Sequence, residues 1–95
     1  MKNNVLIVDD HQIVSDGVKT LLEGSHYHVI GTASSEKECL SILKEQTPEV
    51  ILMDVKLGSD SGIYTTKMVK ADYPEIKIVM LSSSTDEYAI IESIK

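Results

Sequence analysis

Basic residues are scarce in this chain. Nine Lys and Arg stand against fifteen Asp and Glu, a formal charge of −6, and the nine are scattered rather than grouped. Nucleic acid and anionic membranes are gripped by clustered cations, so the chain is expected to touch neither directly. Cysteine is reduced to Cys39, which rules out an internal disulfide and fits a reducing, cytoplasmic setting. No apolar run approaches the roughly 20 residues that span a bilayer. The opening "MKNNVLIVDD" has one basic residue and only four apolar residues before two aspartates, unlike a secretory signal. Repeats, low-complexity tracts and linkers are missing too. The 95 residues therefore read as one small domain, 1–95, with an apolar share of 42% that suits a globular fold. At this size only about two thirds of the unfolded surface is hidden on folding, which leaves a thin stability margin.

What is present is alternation. Val5 to Val8, Val50 to Met53 and, with Lys77 as its one interruption, Ile76 to Leu81 are short apolar runs rich in β-branched residues, the pattern of strands covered on both faces. A weaker strand at Tyr27 to Thr32 reads as a sheet edge. Between these runs the period turns helical. Ile13, Val14, Val18, Leu21 and Leu22 form the stripe of a first helix that stops at Gly24. Ser35 with Glu38 makes a capping box ahead of Cys39, Leu40 and Leu43, and Thr47-Pro48 closes that second helix. A third helix runs from Gly62 to Tyr73-Pro74. Asp86 is expected to open a fourth, with Ala89, Ile90, Ile91 and Ile94 on its buried side. Short connections between alternating strands and helices impose parallel strands and right-handed crossovers, hence a three-layer α/β domain.

Ligands of open parallel sheets gather at the carboxyl ends of the strands. There the runs end in Asp9 and Asp10, in Asp54, and in Ser82. Each Asp is also a common turn residue, but their convergence on one rim favours a site. Carboxylates held that close repel one another unless a cation compensates. An all-oxygen set suits Mg²⁺, whereas zinc prefers His and Cys and Ca²⁺ a longer ligand loop. An aspartate beside Mg²⁺ can also act as a nucleophile toward a phosphoryl group. Asp54 is best placed for that, and the Ser82 hydroxyl can donate to a phosphoryl oxygen. His11, next to the acidic pair, reads as an exposed residue at the start of the first helix. His26 and His28 lack a third ligand nearby, Cys39 reads as a small core residue, and Tyr88 as an exposed helical tyrosine.

In this order and spacing, "VLIVDDH", "VILMDVKLGSDSG" and "IVMLSSS" resemble the receiver domain of two-component response regulators. The "DDH" start and "DEYAIIESIK" end are most similar to LuxR/NarL-type receivers. The resemblance implies a flavodoxin-like, CheY-like fold and a signalling module rather than an enzyme. Asp54 would then be the phosphoacceptor served by a histidine kinase. Asp9, Asp10 and Asp54 would hold Mg²⁺, with Lys56 adding its backbone carbonyl. Ser82 would be the residue that turns toward the phosphoryl group, and Gly62 the glycine closing the loop after the phosphoacceptor.

Departures from the pattern carry their own expectations. Gly58 stands where the family commonly has proline, which loosens the loop. The family's fifth strand, its phosphoryl-binding lysine, its fifth helix and a DNA-binding output domain have no counterpart here, so the receiver reads as C-terminally truncated, with strand order 2-1-3-4. That leaves Ile76 to Leu81 as an open edge and uncovers part of the face shared with helix one. Self-association through either is the expected consequence. Two rival readings are an oligomerising module that is never phosphorylated and a Mg²⁺-dependent aspartyl-phosphate phosphohydrolase. The second is disfavoured because Lys56 occupies the place of its acid/base carboxylate.

Overall fold

The computed structural model describes residues 3–82 and 89–93. In chain order the elements are β1 (Asn3–Val8), α1 (Gln12–Leu22), β2 (Tyr27–Ala33), α2 (Glu36–Leu43), β3 (Val50–Asp54), β4 (Lys56–Leu57), β5 (Asp60–Ser61), α3 (Gly62–Asp72), β6 (Lys77–Ser82) and β7 (Ala89–Ser93). The main sheet has the order β2-β1-β3-β6-β7. Its first four strands are parallel, as the expected order 2-1-3-4 requires, with the weak strand Tyr27–Ala33 at the edge.

Strands buried on both faces need apolar residues at consecutive positions, and β1 supplies them: Val5, Leu6, Ile7 and Val8 are all buried. Leu6 and Val8 join Ile51, Met53, Ile78 and Met80 in a core capped by Cys39 and Leu43 of α2 and Val69 of α3. The opposite face carries Val5, Leu52 and Val79, and α1 lies over it, with Leu22 beside them. Helices thus cover both sides of the sheet.

The helix ends follow local chemistry. Ser35 Oγ accepts from the Glu38 N–H and caps α2. Glu38 completes only half of the expected capping box, because its carboxylate takes the Ser34 N–H and hydroxyl instead of the cap's own amide. Those two contacts hold its carboxyl below the usual range, the backbone bond first. Helix α2 ends at Leu43, short of Pro48, in a turn where the N–H groups of Glu45 and Gln46 both donate to the Ile42 carbonyl. Ser61 caps α3 through the Tyr64 N–H.

Three expectations are corrected. Within the stretch read as a fourth helix, Ala89–Ser93 is a strand: β7 runs antiparallel to β6, pairing Ser82 with Ala89 and Ile78 with Ser93. Ile90 and Ile91 are β-branched and suit either state. A helix this short has little stability of its own, whereas the outer edge of β6 offers a ready ladder. Consequently the edge Ile76 to Leu81 is not open, and it cannot serve for self-association while β7 occupies it. Asp86, Tyr88 and Ile94 lie outside the described residues. The loop at Gly58 is not slack either. Gly58 and Ser59 form the tight turn of a β4–β5 hairpin in which Leu57 pairs with Asp60, and Gly58 takes φ +58°, a conformation glycine adopts without steric cost.

Candidate functional site

The parallel ladder sets the site. Val8 of β1 pairs with Met53 of β3, so the next residue on each strand, Asp9 and Asp54, emerge side by side. Asp54 in turn pairs with Leu81 of β6, and Ser82 follows one residue beyond. Buried neighbours fix both strands, so the rim they present is rigid. Asp9 is 5% exposed and Asp54 only 1%, while Asp10 stands at the open mouth. Asp9, Asp10, His11 and Asp54 each offer a ligand atom, all within 4.8 Å of one another.

Hydrogen bonding within the cluster is uneven. Asp9 Oδ1 accepts from the His11 N–H at 2.8 Å. Asp54 Oδ1 accepts from the Lys56 N–H at 3.2 Å, whereas Asp54 Oδ2 is buried without a partner. A buried carboxylate oxygen with no donor is costly to ionise. Burial pushes the Asp54 carboxyl above the ordinary range, the Lys56 N–H pulls back, and the charges of Asp9 and Asp10 add to the rise. An oxygen-rich pocket with one orphaned, buried acceptor fits a hard divalent cation.

The sequence reading left His11 outside the cluster, as an exposed helix start. It is indeed the N-cap position of α1, but its side chain makes no cap bond. Instead the ring turns inward, with Nδ1 at 3.1 Å from Asp9 Oδ1, 3.1 Å from Asp10 Oδ1 and 3.8 Å from Asp54 Oδ2. The hydrogen bond to Asp9 and then the charge of Asp10 hold the imidazolium above the usual histidine range. Adjacency to the acidic pair was the only signal in the sequence.

Other expected residues are placed as follows. The Lys56 side chain is exposed on β4 and only its amide meets Asp54. Ser82 ends β6; its side chain, like Ser83, lies outside the described residues. His26 and His28 are exposed and join no metal-ligating cluster among the described residues. Cys39 is fully buried in the core. Gly62 packs so tightly that a Cβ there would lie 1.7 Å from the Asp54 carbonyl oxygen, and its N–H donates to the Val55 carbonyl at 2.7 Å. Glycine is therefore required where the chain doubles back beneath the site.

Parallel strands flanked by helices, with an acidic pocket at the carboxyl ends, define a flavodoxin-like domain of the CheY-like class. Residues 5–95 match the family model of the response regulator receiver domain, and the chain belongs to that family. It is 35% identical over 94 residues to the transcriptional regulatory protein YdfI of Bacillus subtilis (strain 168), across 98% of this chain and 44% of that protein. The chain thus spans under half the length of this relative. Its fold is similar to a LuxR-family two-component response regulator from Aurantimonas sp. SI85-9A1, with TM-score 0.81 and 27% identity over 90% of this chain and 61% of that one. The isolated receiver domain of RcsB from Salmonella enterica serovar Typhimurium, solved with the phosphomimetic BeF3−, matches with TM-score 0.81 and 27% identity, over 90% of this chain and 65% of that one.

Proposed function

We propose that this chain is a phosphoacceptor module: Asp54 takes a phosphoryl group from the phosphohistidine of a partner kinase. An oxygen of Asp54 bonds to phosphorus as the phosphorus–nitrogen bond breaks, and the leaving imidazole takes a proton from solvent. Asp9, Asp10 and Asp54, with the Lys56 carbonyl, are the residues to hold Mg²⁺. When bound, the ion supplies positive charge against the phosphoryl oxygens. Asp9 and Asp10 position that charge, the Lys56 N–H orients the Asp54 carboxylate, and the Ser82 hydroxyl serves as donor to the phosphorylated form. In a longer parent the modified rim would control a DNA-binding output. Catalysis of a separate substrate is not part of this role.

The observation that carries the reading is Asp54 Oδ2, buried, without a donor, and facing two further carboxylates. To test it, the protein is incubated with Mg²⁺ and a small phosphodonor, and its intact mass is measured beside an Asp54→Asn variant. A single phosphoryl adduct on the parent and none on the variant is expected. No adduct on either would overturn it.

A second reading, an association module that is never phosphorylated, is favoured by one feature: Ile13 and Leu21 of α1 are 86% and 81% exposed. Self-association then runs through helix one, and the absence of an adduct in the same experiment would select it.

A further inference from the structure

We infer that His11 is a built-in occupant of the acidic pocket: its imidazole docks among Asp9, Asp10 and Asp54 in the metal-free protein and must swing out before a divalent cation can bind. The inference rests on the proposed reading of the pocket as a cation site and adds how that site is guarded.

The geometry is that of a hydrogen-bond donor filling the pocket. Nδ1 lies at hydrogen-bond distance from one oxygen of each of the two β1-end aspartates, and among the described residues no other basic side chain comes within 4.0 Å of the three carboxylates. Nδ1 makes these contacts by donating its proton. A protonated ring nitrogen cannot ligate a metal, and Mg²⁺ selects oxygen and keeps its waters. The ring and the hydrated ion therefore compete for one space. Any form of the ring with a proton on Nδ1 competes, so the exclusion does not depend on the ring's charge.

Docking is also incomplete. At 3.8 Å the ring is too far to satisfy Asp54 Oδ2, and that oxygen stays unpartnered. A cation can satisfy what the imidazole leaves unsatisfied. Departure is easy, since the side chain is 59% exposed and makes no cap bond on its own helix. The backbone of His11 stays anchored, its N–H on Asp9 Oδ1 and its carbonyl accepting from Val14 and Ser15. Rotation of the side chain alone opens the pocket, and apparent cation affinity is reduced by the docked fraction.

The test is calorimetric titration of Mg²⁺ into the parent and a His11→Ala variant at one mildly alkaline pH, with the histidine ring resonances followed by NMR. His11→Ala is expected to bind about three- to tenfold more tightly, the scale of one or two modest hydrogen bonds given up. In the parent, saturating Mg²⁺ is expected to move the His11 ring signals toward those of the exposed His26 and His28. Equal affinities with unmoved His11 signals would overturn the inference and leave the cation site standing. Weaker binding by His11→Ala would make the ring a ligand and overturn it as well. If neither protein binds Mg²⁺, the underlying reading of the pocket falls, and the inference with it.

Discussion

A methyl group on Gly62 would sit 1.7 Å from the carbonyl oxygen of Asp54 and 2.8 Å from its carbonyl carbon. Backbone cannot yield as a side-chain tip does, so Gly62→Ala is expected to cost at least about 2 kcal/mol. It should also disturb the Asp54 backbone, which chemical denaturation and a two-dimensional amide spectrum would read. Gly17, exposed in the middle of α1 with nothing within 4 Å, is the contrast: Gly17→Ala is expected to stabilise by about 0.5–1 kcal/mol. Cys39 gives a prediction of the opposite kind. Burial, with a smaller contribution from Glu36, pushes its thiol up to about 11, so the native protein should resist a thiol reagent at neutral pH and react fully in denaturant. Because its folded value is raised, the stability it lends is intact below the ordinary thiol range. It is lost as pH climbs through about 11, which denaturation midpoints across that window would track. Of these residues the sequence disclosed Asp9, Asp10 and Asp54 and the burial of Cys39. It marked Gly62 only by resemblance, since the clash arises between segments brought together by the fold. His11 is the exposed helix start that the sequence indicated, but the inward turn of its ring onto Asp9 and Asp10 was not legible, since a side-chain rotamer leaves no mark on the pattern of residues.

Among the elements, those with a strong local signal were legible. β1, β3 and β6 have unbroken apolar runs, and α2 begins at a side-chain cap, Ser35, that can be read directly, whereas the Ser61 cap of α3 was not anticipated. Ser35→Ala removes the acceptor for the Glu38 N–H and is expected to cost about 1 kcal/mol, measurable by urea unfolding. The same variant leaves intact the braces from α2 to the hairpin, where Asp60 Oδ2 accepts from the Glu36 N–H, and to α3, where Thr65 Oγ1 donates to Glu36 Oε1 at 2.8 Å. The effect should therefore stay near the value of a cap alone. A much larger loss would show that the cap also holds the hairpin beside the site. The segment from Ala89 was misread because period alone does not separate a short helix from a strand when β-branched residues sit side by side. What decided it was the unpaired edge of β6, a non-local fact. The β4–β5 hairpin was missed for a related reason, since its strands have only two residues each.

At the scale of the whole molecule the two faces of the sheet are unequal. One is sealed by α2 and α3. The other has, among the described residues, α1 alone and keeps a groove of about 280 Å³ lined by Val5, Leu22, Tyr27, Val50, Leu52, Lys77 and Val79. The helical stripe predicted for α1 is only partly used, as Val14, Val18 and Leu22 are half-buried while Ile13 and Leu21 face solvent. Burying one such side chain is worth about 1.5–3 kcal/mol. With two per copy, a symmetric pair would gain roughly 6–12 kcal/mol, against an association cost of about 4–15 kcal/mol. Because these ranges overlap, any pairing through helix one is expected to be weak and concentration-dependent rather than permanent. Each copy carries a charge of −6, so repulsion opposes pairing and salt should strengthen it by screening. Sedimentation velocity is expected to show the parent shifting toward dimer as concentration and salt rise. An Ile13→Ser/Leu21→Ser variant, altered only at exposed positions and hence as stable as the parent, should stay monomeric throughout. A parent that sediments as a monomer at high concentration and high salt would remove helix one as an association surface.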